Sequence, residues 1–244
     1  MSKFAGKTVV VVGGGSGIGR AVASAAAAEG AEVILSSRNA EKLRQAAGDI
    51  PGAQVQPLDM TDGASRAGWA EALPEIDHLV ISASSAAHGP FATLEEAPLR
   101  AMFDAKFFGP YLTAKAALPK LATGGSITLF SGVLSRRPGM NCSGLGAVNG
   151  AVESLTYALA LELGPDLRVN CLSPGMIRSD AYAGMEADAR ETMYEATGES
   201  LPVGRVGTVE EAAEAALMLM SNSYTTGIVL DVDGGHMIRQ YAAR

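Results

Sequence analysis

The stretch Val9-Val10-Val11-Val12-Gly13-Gly14-Gly15-Ser16-Gly17-Ile18-Gly19-Arg20 decides the fold. A short β-branched run that ends in glycine reads as a buried strand, assigned here to residues 7–12. Residues 18–29 then read as a helix, stopped by Gly30. Glycines between strand and helix let the chain turn sharply and bring backbone close to a ligand. The helix start adds N–H groups and the positive end of a dipole, which suits a pyrophosphate. A Gly-rich loop alone is weak evidence; its place between a strand and a helix near the N-terminus is the confirming context.

Working outward, short apolar runs continue to alternate with Ala-rich helical stretches. Further strands are expected at 32–36, 54–57, 78–82, 126–130, 168–171 and 228–232. Helices are expected at 40–47, 99–119, 144–163 and 209–220. Asn39 is placed to cap the helix after it, and Thr208 with Glu211 has capping-box spacing. Alternation of this kind gives right-handed βαβ units. The expected fold is α/β: one doubly wound Rossmann domain over residues 1–244, with a parallel sheet of about seven strands and helices on both faces. Ligands then bind beyond the carboxyl ends of the strands.

Composition narrows the function. The 244 residues are 48% hydrophobic and carry a formal charge of −7, without a basic run, so neither nucleic acid nor a membrane is expected as partner. No apolar run reaches a membrane span of ~18 residues. The start, Met1-Ser-Lys-Phe, leads straight into a strand pattern, so no secretory leader is expected. Cys142 and Cys171 are too few for a disulfide framework, and a cytoplasmic setting is the simplest expectation.

The Gly-x-x-x-Gly-x-Gly spacing from Gly13 to Gly19 resembles the short-chain dehydrogenase/reductase family, and the resemblance spans the chain. Asp59-Met60 stands where that family contacts adenine. Ser173-Pro174-Gly175-Met176-Ile177 matches the segment that holds the nicotinamide amide. Gly204-Arg205-Val206-Gly207 and Asp233-Gly234-Gly235 fit its C-terminal signatures. Two departures lie on this side: Val12 replaces the usual Thr, and Ile81-Ser82-Ala83-Ser84 replaces Asn-Asn-Ala-Gly. The resemblance implies a cofactor site of Gly13, Gly15, Ser16, Gly17, Ile18, Gly19, Asp59, Met60, Ala83, Pro174, Gly175 and Ile177. Ser37-Arg38 joins it at the end of the second strand, with no acid there to repel a 2′-phosphate, so NADP(H) is expected over NAD(H). Arg20 is expected as a second cation near the loop. Similar proteins pair through the helices at 99–119 and 144–163, so a homo-dimer or homo-tetramer is expected.

The family's reaction residues are a different matter. Overlay of Asn149-Gly150-Ala151-Val152 on the family's Lys-Ala-Gly/Ala-Val run needs no gap. It puts Leu145 at the general-acid Tyr, Gly132 at the substrate-orienting Ser and Asn149 at the Lys. Lys106 falls at the relay Asn. The resemblance thus implies an atypical member lacking the Tyr-x-x-x-Lys pair. Leucine gives no proton, and loss of a positioned acid removes ~10²–10⁴ in rate. Ser131, Lys106 and Asn149 are the candidate replacements. Ser131 reads either as a surrogate hydroxyl or as a strand-end cap, and Lys106 either as a pocket ammonium or as a solvated helix charge. Cys142 and His88 lie on pocket loops, with inert and surface readings beside functional ones. Arg136-Arg137 either draws an anionic substrate to the cleft mouth or is solvated. The expected function is an NADP(H)-binding oxidoreductase with a non-standard acid/base site acting on a small molecule; an imine or activated alkene would suit the missing Tyr. The alternative is an inactive nucleotide-binding sensor or scaffold.

Overall fold

The computed structural model describes residues 2–82 and 85–239. The first unit is β1 (Thr8–Val12), α1 (Gly17–Ala28) and β2 (Glu32–Ser36). α2 (Ala40–Gly48), β3 (Gln54–Val55), α3 (Gly63–Ala72) and β4 (Ile76–Ile81) follow. The second half holds α4 (Glu96–Phe103), α5 (Gly109–Ala117), β5 (Leu121–Phe130), α6 (Ser143–Leu163) and β6 (Arg168–Pro174). After it come β7 (Ile177–Arg178), α7 (Ala187–Glu199), β8 (Gly207–Thr208), α8 (Val209–Ser221) and β9 (Val229–Val232). The main sheet runs β3-β2-β1-β4-β5-β6-β9, parallel throughout, as expected; β7 and β8 form a separate pair.

The Val run explains the layering. Val9 and Val11 point into one apolar core with Val22 and Ala26 of α1 and Ala212 and Ala216 of α8. Val10 and Val12 point into the other, with Trp69 of α3, Ala114 of α5 and Val152 of α6. A strand buried on both faces has no polar alternation to show, which is why the sequence reads as an unbroken run. Strand order reverses between β1 and β4, and that switch point opens the crevice at the carboxyl ends. No helix among the described residues is long and apolar enough to cross a membrane.

Local capping follows the expectations: Asn39 accepts from the Lys42 N–H, and the Thr208–Glu211 box is formed on both sides. The helices α3 and α7 were outside the expected set. The expected helix at 99–119 is two helices, α4 and α5, joined by a π turn over Asp104–Phe108. Pro110 supplies the reason. Its nitrogen cannot bond the carbonyl four residues back, so α-helical pairing fails there. Gly109 N–H bonds Asp104 O instead, five residues back. A Cβ on Gly109 would stand 2.9 Å from that same oxygen. Lys106 sits in the middle of this turn.

Candidate cofactor cleft and reaction site

One cleft of about 470 Å³ crosses the carboxyl ends of the strands from the β2 side to the β6 side. The loop after β1 forms its floor. Gly13 and Gly17 take positive φ of 90° and 53°, a region that favours glycine. Gly19 is tighter still: a Cβ there would lie 2.3 Å from Gly13 O and 2.4 Å from Ser82 Oγ. Ser16 stands at the N-cap of α1, yet its side chain makes no capping bond. The first N–H groups of α1 are therefore left to whatever lies in the cleft. Gly15 and Ile18 also line it.

On the β2 side, Ser37, Arg38, Asp59 and Met60 line the cleft. Thr61 donates to Asp59 Oδ1 through its hydroxyl at 2.7 Å and its N–H at 2.9 Å. These bonds, then the charges of Arg38 and Arg66, hold the Asp59 carboxyl below the usual range. Arg38 is exposed and is in no ion pair among the described residues. Arg20 is spent elsewhere: it pairs with Asp49, away from the cleft lining. On the β6 side Pro174 lines the cleft, whereas Gly175 packs with Asp233 and Ile177 is buried beside β8. Ala83 lies outside the described residues.

Lys106 and Ser131 line the β5 end of the cleft. Lys106 is a buried cation, 6% exposed, with Nζ donating to Ser131 O at 3.2 Å. The solvated-charge reading is therefore corrected. Burial pushes its amine down to about 8. Ser131 Oγ donates to Glu153 Oε1 at 3.1 Å, so its proton is turned toward α6. Ser135 Oγ donates to the same oxygen at 2.6 Å, and Arg136 Nε stands 3.4 Å from Oε2. Arg136 also forks onto Asp231 and reaches Ser173 Oγ at 3.2 Å. Arg137 donates to the carbonyls of Met237 and Arg239. Both arginines thus tie chain segments together; neither lines the cleft. Glu153 was not foreseen, although its i+4 spacing from Asn149 put it on the same helix face.

Asn149 is 2% exposed and donates through Nδ2 to Gly132 O at 3.2 Å. A Cβ on Gly132 would sit 3.0 Å from that nitrogen. Leu145, half-buried on α6, offers no donor. The expected absence of a Tyr-x-x-x-Lys spacing is corrected: it occurs once, Tyr111 to Lys115, with both residues exposed on α5 and outside the cleft lining. Cys142 Sγ lies 3.5 Å from Nδ1 of exposed His88, and burial raises its thiol. Tyr182, also unforeseen, packs edge-on against Tyr194 with its phenol raised by burial. No cluster of potential metal ligands occurs among the described residues.

A family model described as enoyl-(acyl carrier protein) reductase matches residues 12–237. Galactitol 2-dehydrogenase (L-tagatose-forming) of Cereibacter sphaeroides is 35% identical over 246 residues, covering 96% of this chain and 96% of its own. L-fucose dehydrogenase of Mus musculus is 32% identical, over 96% of this chain and 90% of its own. Among solved structures, a small-chain dehydrogenase in complex with NADPH aligns at 38% identity and TM-score 0.84, covering 95% of this chain and 99% of that one. MalC reductase/Diels-Alderase of Malbranchea aurantiaca aligns at 28% identity and TM-score 0.90, over 98% and 99%. The chain belongs to the short-chain dehydrogenase/reductase family of oxidoreductases.

Proposed function

We propose that the protein is an NADP(H)-dependent oxidoreductase whose acid/base group differs from the family's Tyr. The reading is carried by the β2 tip: Ser37 and Arg38 line the cleft, Arg38 is unpaired among the described residues, and no acid follows the strand. A guanidinium fork suits a 2′-phosphate, and a carboxylate would repel it. The cradle for the rest of the dinucleotide fits: Gly19 leaves no room for a side chain, and the start of α1 is free of a side-chain cap. The relative solved with NADPH supports the same choice. Bound there, NADPH would supply a hydride. The chain's own part is to seat the pyrophosphate on α1, fix the adenosine end with Arg38 and Asp59, and present Lys106 and Ser131 to the reacting end.

Fluorescence titration tests the cofactor assignment. NADPH is expected to bind more tightly than NADH, and Arg38→Asp to weaken NADPH by about 10–100-fold, equivalent to about 1.4–2.8 kcal/mol. An unchanged dissociation constant overturns it. Leu145 and Gly132 favour one other reading, a nucleotide-binding module without turnover. That reading predicts tight NADPH binding and no oxidation of NADPH by any carbonyl, enoyl or imine compound.

A further inference from the structure

Two side chains from different elements reach the same turn of chain. Lys106, from the π turn, donates to Ser131 O; Asn149, from α6, donates to Gly132 O. Ser131 and Gly132 are consecutive residues where β5 leaves the sheet, and Ser131 lines the cleft. Both side chains have capacity left over. An ammonium carries three donors, and one of Lys106's is used. Asn149 Oδ1 is buried without a partner among the described residues. An unmet acceptor of this kind is costly in a folded interior and marks a place where a ligand, water or ion belongs.

The charge is equally exposed to question. No carboxylate among the described residues forms an ion pair with Lys106. The titratable group facing it from β6 is Cys171, kept neutral because burial pushes its thiol up to about 11. Glu153, on α6, is already engaged by Ser131, Ser135 and Arg136. A buried cation with no counter-charge is stabilised by an atom that gains negative charge beside it.

Building on the NADP(H) reading, we propose that Lys106 gives the proton to the substrate oxygen, that Asn149 helps hold the Ser131–Gly132 turn against which Lys106 is positioned, and that the substrate is a neutral aldehyde or ketone. Hydride addition to a carbonyl moves the C=O π pair onto oxygen, where an ammonium stabilises it. An iminium ion enters already positive and is repelled by the same group. In the balanced step, the carbonyl carbon gains a hydride with its electron pair and forms a C–H bond. The oxygen forms O–H as one N–H bond of Lys106 breaks. The carbonyl is reduced by two electrons, and the nicotinamide that supplied them is oxidised. Lys106, left neutral, regains a proton from water. An amine near 8 exchanges protons readily at neutral pH, as an acid/base group must.

The test uses the full chain with Lys106→Met, Lys106→Arg and Tyr182→Phe. Arginine keeps the charge but cannot release a proton near neutrality. NADPH titration of every variant comes first, and dissociation constants within about threefold of wild type are expected. If wild type does not bind NADPH, the cofactor reading fails. If it binds and reduces no aldehyde or ketone in a broad panel, this inference fails while that reading stands. Single-turnover reduction is expected to fall by about 10²–10⁴ in both Lys106 variants and to persist in Tyr182→Phe. Competitive acetylation of the unliganded protein, read by peptide mapping, is expected to show Lys106 titrating near 8. Carbonyl reduction kept within about threefold in Lys106→Arg, loss confined to Tyr182→Phe, turnover of cyclic iminium ions alone, or Lys106 labelling in the ordinary lysine range would each overturn the proposal.

Discussion

The two ends of the cleft are built from different materials. At the β1–β2 end the ligand surface is mostly backbone: glycines, free N–H groups and a helix start. At the β5–β6 end it includes side chains from the π turn and the β5 exit, held from behind by Asn149 and Glu153 of α6. Backbone surfaces impose residue types, because a single Cβ at Gly19 closes the space. Side-chain surfaces tolerate exchange, because a needed amine or amide can arrive from another element. A change of residue type at the first end therefore disturbs the fold more than one at the second.

The comparison can be pressed hardest at Lys106. Its amine lies near 8 when folded and at the ordinary 10.5 when free. Because the folded value is lowered, the charge destabilises the fold fully below about 8. That penalty fades as pH rises from 8 to 10.5, since only the unfolded chain then stays protonated. Lys106→Met should therefore raise unfolding stability at pH 7 by up to about 3 kcal/mol. The gain should shrink by pH 10, as read by urea denaturation at both values. A gain that does not depend on pH would mean the ammonium is not buried as described. At the backbone end the expected sign is opposite. Gly19→Ala should destabilise by about 1–3 kcal/mol through overpacking and loosen NADPH in parallel; a variant of normal stability and affinity would show that the loop has slack. The mildest case is Gly132→Ser. Contact with Asn149 Nδ2 should cost about 1 kcal/mol, with no gain in carbonyl reduction. A clear gain in rate would mean that the two ends are less independent than their construction implies.

The sequence showed the backbone-built parts well. Gly13 to Gly19 fixed the loop, Asn39 and Thr208–Glu211 the caps, and the Val run the central strand, because each depends on residues close in sequence. It did not show that Pro110 would recast a long helix around a π turn, since the apolar pattern continues through the break. It left Lys106 undecided because burial depends on three elements meeting. Arg20, Arg136 and Arg137 look like free cations along the chain; their partners at Asp49, Asp231 and the 237–239 carbonyls come from distant segments. Glu153 escaped notice because its partners lie on the β5 exit.

The fit between Gly132 and Asn149 couples the two positions. A hydroxymethyl group at position 132 would press on the Asn149 amide, so a serine there is accommodated with a small shift of residue 149. A lysine at 149 beside Lys106 would crowd two cations into one small space. Positions 106, 132 and 149 therefore share one small volume, and the effect of changing any one of them depends on what stands at the other two.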